Sequence, residues 1–107
     1  MPKGYWVVRV DVHDLDAYRR YVAANADPIG RFGGRFLVRG GPSESPEGQP
    51  RSRNVVVEFP SYQAARDCYA DPGYVAAIAL REGASTSDFL IIEGYDGPQP
   101  GEGLPPV

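Results

Sequence analysis

The stretch from Gly33 to Ser61 constrains the fold most, because it holds two alternating apolar runs separated by a polar segment. The pairs Gly33-Gly34 and Gly40-Gly41 bound the first run, and Pro60 closes the second. Alternating runs with glycine and proline at their ends are typical of strands joined in a hairpin. We therefore predict two neighbouring strands connected by a long, exposed loop.

Alternation assigns the side chains of this hairpin to two faces, since successive residues of a strand point to opposite sides. The predicted apolar face carries Phe36, Val38, Val55, Val57 and Phe59. The predicted mixed face carries charged and aliphatic side chains, namely Arg35, Leu37, Arg39, Val56 and Glu58. The apolar face needs a cover of helices, which the rest of the chain must supply.

Two further strands and three helical segments are predicted around the hairpin. The first strand, residues 5–12, places Trp6, Val8 and Val10 on the apolar face, and the last, residues 88–95, places Leu90 and Ile92 there. Helices are predicted after Asp14 and after Ser61, whose side chains can cap a first turn, and a helical segment is predicted over residues 74–81. Pro28 is expected to kink or end the first helix.

The order β-α-β-β-α-β predicts an α+β ferredoxin-like sandwich. It has a four-stranded antiparallel sheet in the order 4-1-3-2, with the helices on one face. The apolar members of the mixed face are then Tyr5, Val7, Leu37, Val56, Phe89 and Ile91. Apolar area of this size usually marks an interaction surface, so we predict a homodimer in which the mixed faces meet.

Composition limits the class of protein. The 107 residues fit one domain, predicted over residues 1–96, followed by a proline- and glycine-rich tail, 97–107, that we expect to be disordered or loosely docked. A net charge of -3 argues against a nucleic-acid partner, and the absence of a long apolar or polybasic run argues against a membrane partner. The lone Cys68 and the short apolar stretch before Arg9 favour a cytoplasmic protein.

Several pieces of the chain resemble a small bacterial family of unknown function, number 1330, within the dimeric α/β-barrel superfamily. The matching segments are residues 33–41, Glu58-Phe59-Pro60-Ser61, Tyr69 and Tyr74, Leu80-Arg81, and Glu93-Gly94. The resemblance implies the ferredoxin-like fold and a dimer joined through sheet faces, and it implies no particular activity. One departure is Cys68, where the family tends to carry tryptophan, and the tail also lies outside the family pattern.

Charged residues of the mixed face are the first candidates for chemistry. Arg9 and Arg39 are expected near each other, where their guanidinium groups could bind a carboxylate, or pair with acidic residues across a dimer. We predict a pocket bordered by the mixed face, with Arg39 as the anchor for an anion and Glu58 as the nearest base. Glu58 is the candidate general base, because burial raises the pKa of a carboxylate. Its alternative role is a cross-strand ion pair with Arg35. Tyr69 and Tyr74 are further candidates for ligand binding in a pocket between helices and sheet.

The single His13 excludes a site of several histidines, and neither a metal nor a cofactor is predicted. Three function classes stay open. The first is a cleft that binds a small organic molecule, anionic or neutral, and catalyses cofactor-independent acid–base or oxygenase chemistry. The second is a ligand-binding or sensor domain without catalysis, and the third is a structural dimeric module.

Overall fold

The computed structural model describes residues 1–104. Its strands are β1 (Gly4–Val12), β2 (Arg35–Arg39), β3 (Arg53–Phe59) and β4 (Ser85–Glu93), and its helices are α1 (Leu15–Arg31), α2 (Tyr62–Ala70) and α3 (Pro72–Arg81). Along the chain they follow the order β1-α1-β2-β3-α2-α3-β4. The α+β ferredoxin-like prediction is confirmed, with two short helices at the second helical position.

The four strands form one antiparallel sheet in the order β2-β3-β1-β4. This is the predicted order 4-1-3-2 viewed from the other edge. Arg35 of β2 lies opposite Glu58 of β3, as predicted, and the Nε atom of Arg35 lies 4.0 Å from Glu58 Oε1. Strand β2 therefore starts in the predicted register with β3.

The helices cover the face of the sheet that carries Trp6. The Trp6 side chain is buried, and its indole N–H donates to the carbonyl oxygen of Ala65 in α2 over 2.9 Å. The ring centroids of Phe59 and Tyr74 both lie 4.8 Å from that of Trp6. Helix α1 packs mainly against α3 rather than directly on the strands, which leaves space between α1 and the sheet.

The helix boundaries follow from their caps. Asp14 accepts a hydrogen bond from the Ala17 N–H, and Ser61 accepts one from the Ala64 N–H, so both predicted N-caps are confirmed. Asp71 separates α2 from α3 and caps α3 through the Gly73 N–H. Pro28 lies inside α1, so it does not end the helix, which continues to Arg31 and closes its C-terminal turn on the Pro28 carbonyl oxygen. The other expectation for Pro28, a kink, stays a prediction.

The face assignment of β4 is also wrong. Phe89 pairs with Val8 and Ile91 pairs with Trp6, so both of these β4 side chains lie on the helix side and pack against the core. Leu90 and Ile92 are on the mixed face and exposed. The pattern was ambiguous because four consecutive apolar residues fit either face, and only the register with β1 decides between them.

A β-bulge changes the second half of β2. Phe36 pairs with Val57 and Val38 pairs with Val56, so Leu37 is an extra residue without a partner on β3. The bulge reverses the alternation, because one additional residue shifts every later side chain to the other face. Val38 therefore lies on the mixed face and Arg39 on the helix side, the opposite of both assignments from the sequence.

The tail has neither helix nor strand in its described part, residues 97–104. The Tyr95 hydroxyl donates to the Pro98 carbonyl oxygen over 2.6 Å. Residues 105–107 lie outside the described part, and disorder of the tail stays a prediction, as does the domain boundary at residue 96. Among the helices of residues 1–104, none is long and apolar enough to cross a membrane.

Gly4 and Gly30 provide a matched pair of substitutions that tests the packing. A Cβ atom at Gly4 would lie 2.6 Å from both the Ser61 carbonyl carbon and the Tyr62 Cα, whereas one at Gly30 meets nothing within 4 Å. We expect Gly4→Ala to lower the free energy of unfolding by about 2 kcal/mol or more, because backbone atoms must move. Gly30→Ala should be neutral or raise it by up to about 1 kcal/mol, since alanine favours helix. Urea denaturation measures both, and equal stabilities would contradict this packing.

Candidate functional site

A cleft lies between α1 and the helix side of the sheet. The cleft is partly open to solvent, and the space in and around it amounts to about 380 Å³. The lining residues are Trp6, Val8, Tyr18, Tyr21, Val22, Asn25, Ile29, Phe36, Arg39, Arg53, Val55, Val57 and Phe89. The walls are therefore mostly apolar and aromatic, with two guanidinium groups and one amide among them.

Arg39 reaches this cleft because of the bulge at Leu37. Its guanidinium carbon lies 3.9 Å from the centroid of the Phe36 ring, a close cation–π contact. Arg39 is exposed, so it stands at the mouth of the cleft with its charge available to solvent or to a ligand. The structure thus brings one of the predicted ligand-binding residues to the cleft, on the face opposite to the predicted one.

Arg53 is the second cation of the cleft, at the first position of β3. It pairs with Val10 and points to the helix side, where its guanidinium lies 5.9 Å from the Tyr18 ring. Its Nε atom is buried and has no hydrogen-bond partner. Gly40, at a φ of 70°, leaves room for it, since a Cβ atom there would lie 2.6 Å from Arg53 Nη1. A donor of Arg53 is thus left without an acceptor.

Asn25 contributes the amide from α1. Its side chain shares the buried stripe of the helix with Tyr18 and Tyr21, and only 6% of the residue is exposed. The Oδ1 atom is buried without a hydrogen-bond donor. In the described chain three buried side-chain atoms lack partners, and two of them, Asn25 Oδ1 and Arg53 Nε, belong to residues that line this cleft.

Tyrosine hydroxyls support the wall of the cleft. The hydroxyl oxygens of Tyr21 and Tyr74 are 2.6 Å apart, and the Arg81 guanidinium lies 5.0 Å from the Tyr21 ring. Burial raises the pKa of Tyr74 and also that of Tyr18, so both hydroxyls stay protonated at neutral pH. These groups can exchange hydrogen bonds, but they offer no strong base.

The mixed face holds the other predicted site residues. Glu58 accepts a hydrogen bond from the Tyr5 hydroxyl over 3.1 Å. The pKa of Tyr5 is raised, mainly by burial and also by its hydrogen bond to the negatively charged Glu58. Arg9 donates to the Gln49 carbonyl oxygen. The expected grouping of Arg9 with Arg39, and of Arg39 with Glu58, is therefore wrong, because the bulge turns Arg39 to the other side of the sheet. A role of Glu58 as a base stays a prediction.

Tyr69 and Tyr74, the remaining predicted ligand-binding residues, do not line the cleft. Tyr74 is fully buried and contacts the lining residues Trp6 and Tyr21 from behind, without lining the cleft itself. Tyr69 is partly exposed on α2, with its ring 5.0 Å from that of Phe89. Both belong to the aromatic core around Trp6, and direct ligand contact by either stays a prediction.

Asn25 and Arg53 are the cleft residues that the sequence analysis missed. Asn25 follows Tyr18 by seven residues and Tyr21 by four, which is the spacing of one helix face. Arg53 precedes Val55 and Val57 at intervals of two, which is the spacing of one strand face. Both spacings are visible in the sequence. Polar residues usually lie on the surface, however, so neither residue was predicted to share a face with the core.

A clamp of charged residues holds the loop before β3 against the mixed face. Arg51 places Nη1 2.9 Å from Asp11 Oδ2 and Nε 2.9 Å from Asp88 Oδ2. The Ser52 backbone N–H, together with Arg51, lowers the pKa of Asp11. Because Arg51 lies on this side and Arg53 in the cleft, the start of β3 links the two faces of the sheet.

Fold and site together define a small α+β protein with a cleft between its first helix and its sheet. Residues 3–95 match the family described as Domain of unknown function (DUF1330), and the chain belongs to this family. The resemblance in the sequence is thereby confirmed. No protein of curated function matches the chain.

Solved structures with the same fold share little sequence with this chain. A protein of unknown function from Rhodopseudomonas palustris is 18% identical, with a TM-score of 0.74 over 90% of this chain and 85% of that chain. SnoaB, a cofactor-independent oxygenase from Streptomyces nogalater, is 19% identical, with a TM-score of 0.64 over 91% and 97%. A dimeric ferredoxin-like protein of unknown function from Thermobifida fusca is 12% identical, with a TM-score of 0.58 over 86% and 91%.

Cys68 tests how tightly the core behind the cleft is closed. The residue is fully buried, its Sγ lies 3.6 Å from the Pro28 carbonyl oxygen, and burial raises the pKa of its thiol to about 12. At pH 8 we expect a thiol reagent to label native Cys68 at least about a hundredfold more slowly than the unfolded chain, because labelling needs an ionised and exposed thiol. Equal rates before and after denaturation would show that this part of the core is open.

Proposed function

We propose that the cleft binds a small organic anion, with Arg39 and Arg53 as its anchors. The observation that carries the proposal is the buried Nε atom of Arg53, a charged donor without an acceptor. An unpaired buried donor of this kind lowers the free energy of unfolding, and a ligand that supplies the acceptor offsets this cost. Carboxylates and similar oxyanions match the planar donor array of a guanidinium group.

The rest of the lining supports the same class of ligand. Arg39 and Arg53 are its only charged members, and no carboxylate or imidazole stands among the lining residues. The positive charge is therefore not neutralised inside the cleft. Apolar surface from Trp6, Phe36 and Phe89 would cover the organic part of the ligand and exclude water from it.

Catalysis is the second candidate. SnoaB has the same fold and is described as a cofactor-independent oxygenase, and guanidinium groups beside aromatic walls would stabilise an anionic intermediate. The cleft offers no strong base, however, and Glu58 lies on the opposite side of the sheet. Binding is therefore the function that the geometry supports best, and a sensor domain without catalysis is compatible with it.

Arg39→Gln and Arg35→Gln form a matched pair that tests the proposal. Both arginines are exposed residues of β2, but only Arg39 lines the cleft. In a screen of small carboxylic acids monitored by Trp6 fluorescence and thermal shift, the wild-type protein should bind at least one acid. Arg39→Gln should weaken that binding by about tenfold or more, because a charged hydrogen bond is lost, while Arg35→Gln should leave it unchanged.

Two outcomes would contradict the proposed function. One is a wild-type protein that binds none of the acids. The other is equal weakening by both variants, which would indicate a general effect of net charge rather than a contact in the cleft. Identical melting temperatures of the two ligand-free variants are the control for folding.

We also propose that the protein is a cytoplasmic homodimer joined through the mixed faces. Exposed apolar residues on this side of the sheet include Val38, Leu90 and Ile92. The ion pair of Arg35 with Glu58 lies on the same face. Dimeric relatives of the fold from Thermobifida fusca and Bacteroides fragilis support this proposal. A stable interface would bury about 1,200–2,000 Å² in total.

Leu90→Arg tests the dimer, with Leu80→Arg as its control. Leu90 is 52% exposed on the mixed face, and Leu80 is 42% exposed on α3. At micromolar concentration, sedimentation should give a dimer for the wild type and for Leu80→Arg. It should give a monomer for Leu90→Arg, because an unpaired charge would be buried in the interface. A monomeric wild type, or a dimeric Leu90→Arg, would contradict this assembly.

A further inference from the structure

We infer that the ligand of the cleft carries a hydroxyl group besides its anionic group, and that Asn25 selects for this hydroxyl. This inference rests on the proposed anion-binding function and names the class of ligand more closely. Hydroxylated aromatic carboxylates of one ring fit it best. The acid group would contact Arg39 and Arg53, the ring would lie between the apolar walls, and the hydroxyl would bond to the Asn25 side chain.

The first argument is the pairing of unsatisfied atoms. Asn25 Oδ1 is an acceptor without a donor, and Arg53 Nε is a donor without an acceptor, and both residues line one cleft. A simple carboxylate has only acceptors at neutral pH, so it would satisfy Arg53 and leave Asn25 Oδ1 unbonded. A ligand that satisfies both residues must present an acceptor and a donor.

The second argument is the setting of Asn25. The residue is buried on α1 between Tyr21 and Ile29, on the stripe where an apolar residue would pack at lower cost. No donor among the described residues relieves it, because Asn25 Oδ1 has no hydrogen-bond partner. A buried amide with an unbonded oxygen weakens folding, and its presence in the wall of a cleft is explained by a bond to a ligand.

The third argument is the shape and chemistry of the remaining wall. Beside these polar groups the cleft is lined by the rings of Trp6, Phe36 and Phe89 and by the side chains of Val8 and Val22. Planar rings pack well against such walls.

The experiment compares benzoate with 2-, 3- and 4-hydroxybenzoate and with phenol, using the full-length protein and its Trp6 fluorescence. At least one hydroxybenzoate should bind about tenfold or more tightly than benzoate, since the hydroxyl satisfies a buried amide. Phenol, which lacks the anion, should bind more weakly than that hydroxybenzoate. In Asn25→Leu the ratio of the hydroxybenzoate affinity to the benzoate affinity should fall to about one, because leucine offers the hydroxyl no acceptor.

The stability of Asn25→Leu distinguishes a role in ligand selection from a purely structural role of Asn25. Its ligand-free melting temperature should equal or exceed that of the wild type, because an unsatisfied amide is removed from the protein interior. If this variant does not fold, Asn25→Ala provides the same comparison of benzoate with the hydroxybenzoates. A lower melting temperature in both variants would show that Asn25 serves the fold, which overturns the inference.

The outcomes separate this inference from the proposed function. If benzoate binds in an Arg39-dependent way and no hydroxybenzoate binds more tightly, the inference fails and anion binding stands. Survival of the hydroxyl preference in the Asn25 variants likewise overturns the inference alone. If neither benzoate nor any hydroxybenzoate binds the wild type, the inference fails together with this class of ligand for the cleft.

Discussion

The contacts of Trp6 determine how the layers of this protein fit together. The residue lies on a central strand, its indole N–H is bonded to the Ala65 carbonyl oxygen in α2, and its ring contacts those of Phe59, Tyr74 and Phe89. One side chain thereby connects α2 and α3 with three strands. Helix α1 packs mainly on α3, at a distance from the sheet, and the cleft occupies the remaining space. The position of the cleft is thus a consequence of core packing.

The two faces of the sheet differ in whether their polar groups are paired. On the mixed face charges are paired, as in the clamp of Arg51 with Asp11 and Asp88, and the apolar residues among them are exposed. In the cleft two guanidinium groups have no carboxylate beside them, and a buried amide lacks a donor. Paired charges with exposed apolar area are typical of an interface between subunits, whereas unsatisfied polar groups in a concave site are typical of ligand binding.

The fold could be predicted from the sequence because strands, caps and helical spacing depend on local physical chemistry. Asp14 and Ser61 cap helices where their side chains predict it, and Arg35 lies opposite Glu58. The site could be predicted only in part, because it depends on register. Nothing in Arg35-Phe36-Leu37-Val38-Arg39 indicates a bulge at the third residue, and the apolar run of β4 fits either face. Only the pairing of whole strands decides which side chains enter the cleft.

Because of the bulge in β2, the number of residues in this strand matters as much as their identities when homologous sequences are compared. A homologue without a residue at position 37 would still present the arginine to the cleft by plain alternation. A homologue with all five residues but an unbulged strand would present valine there and turn its arginine outward. Since β2 is an edge strand, such changes disturb pairing with β3 alone. A gap in an alignment at this point can therefore preserve the chemistry of the cleft, while an ungapped, identical segment can lose it.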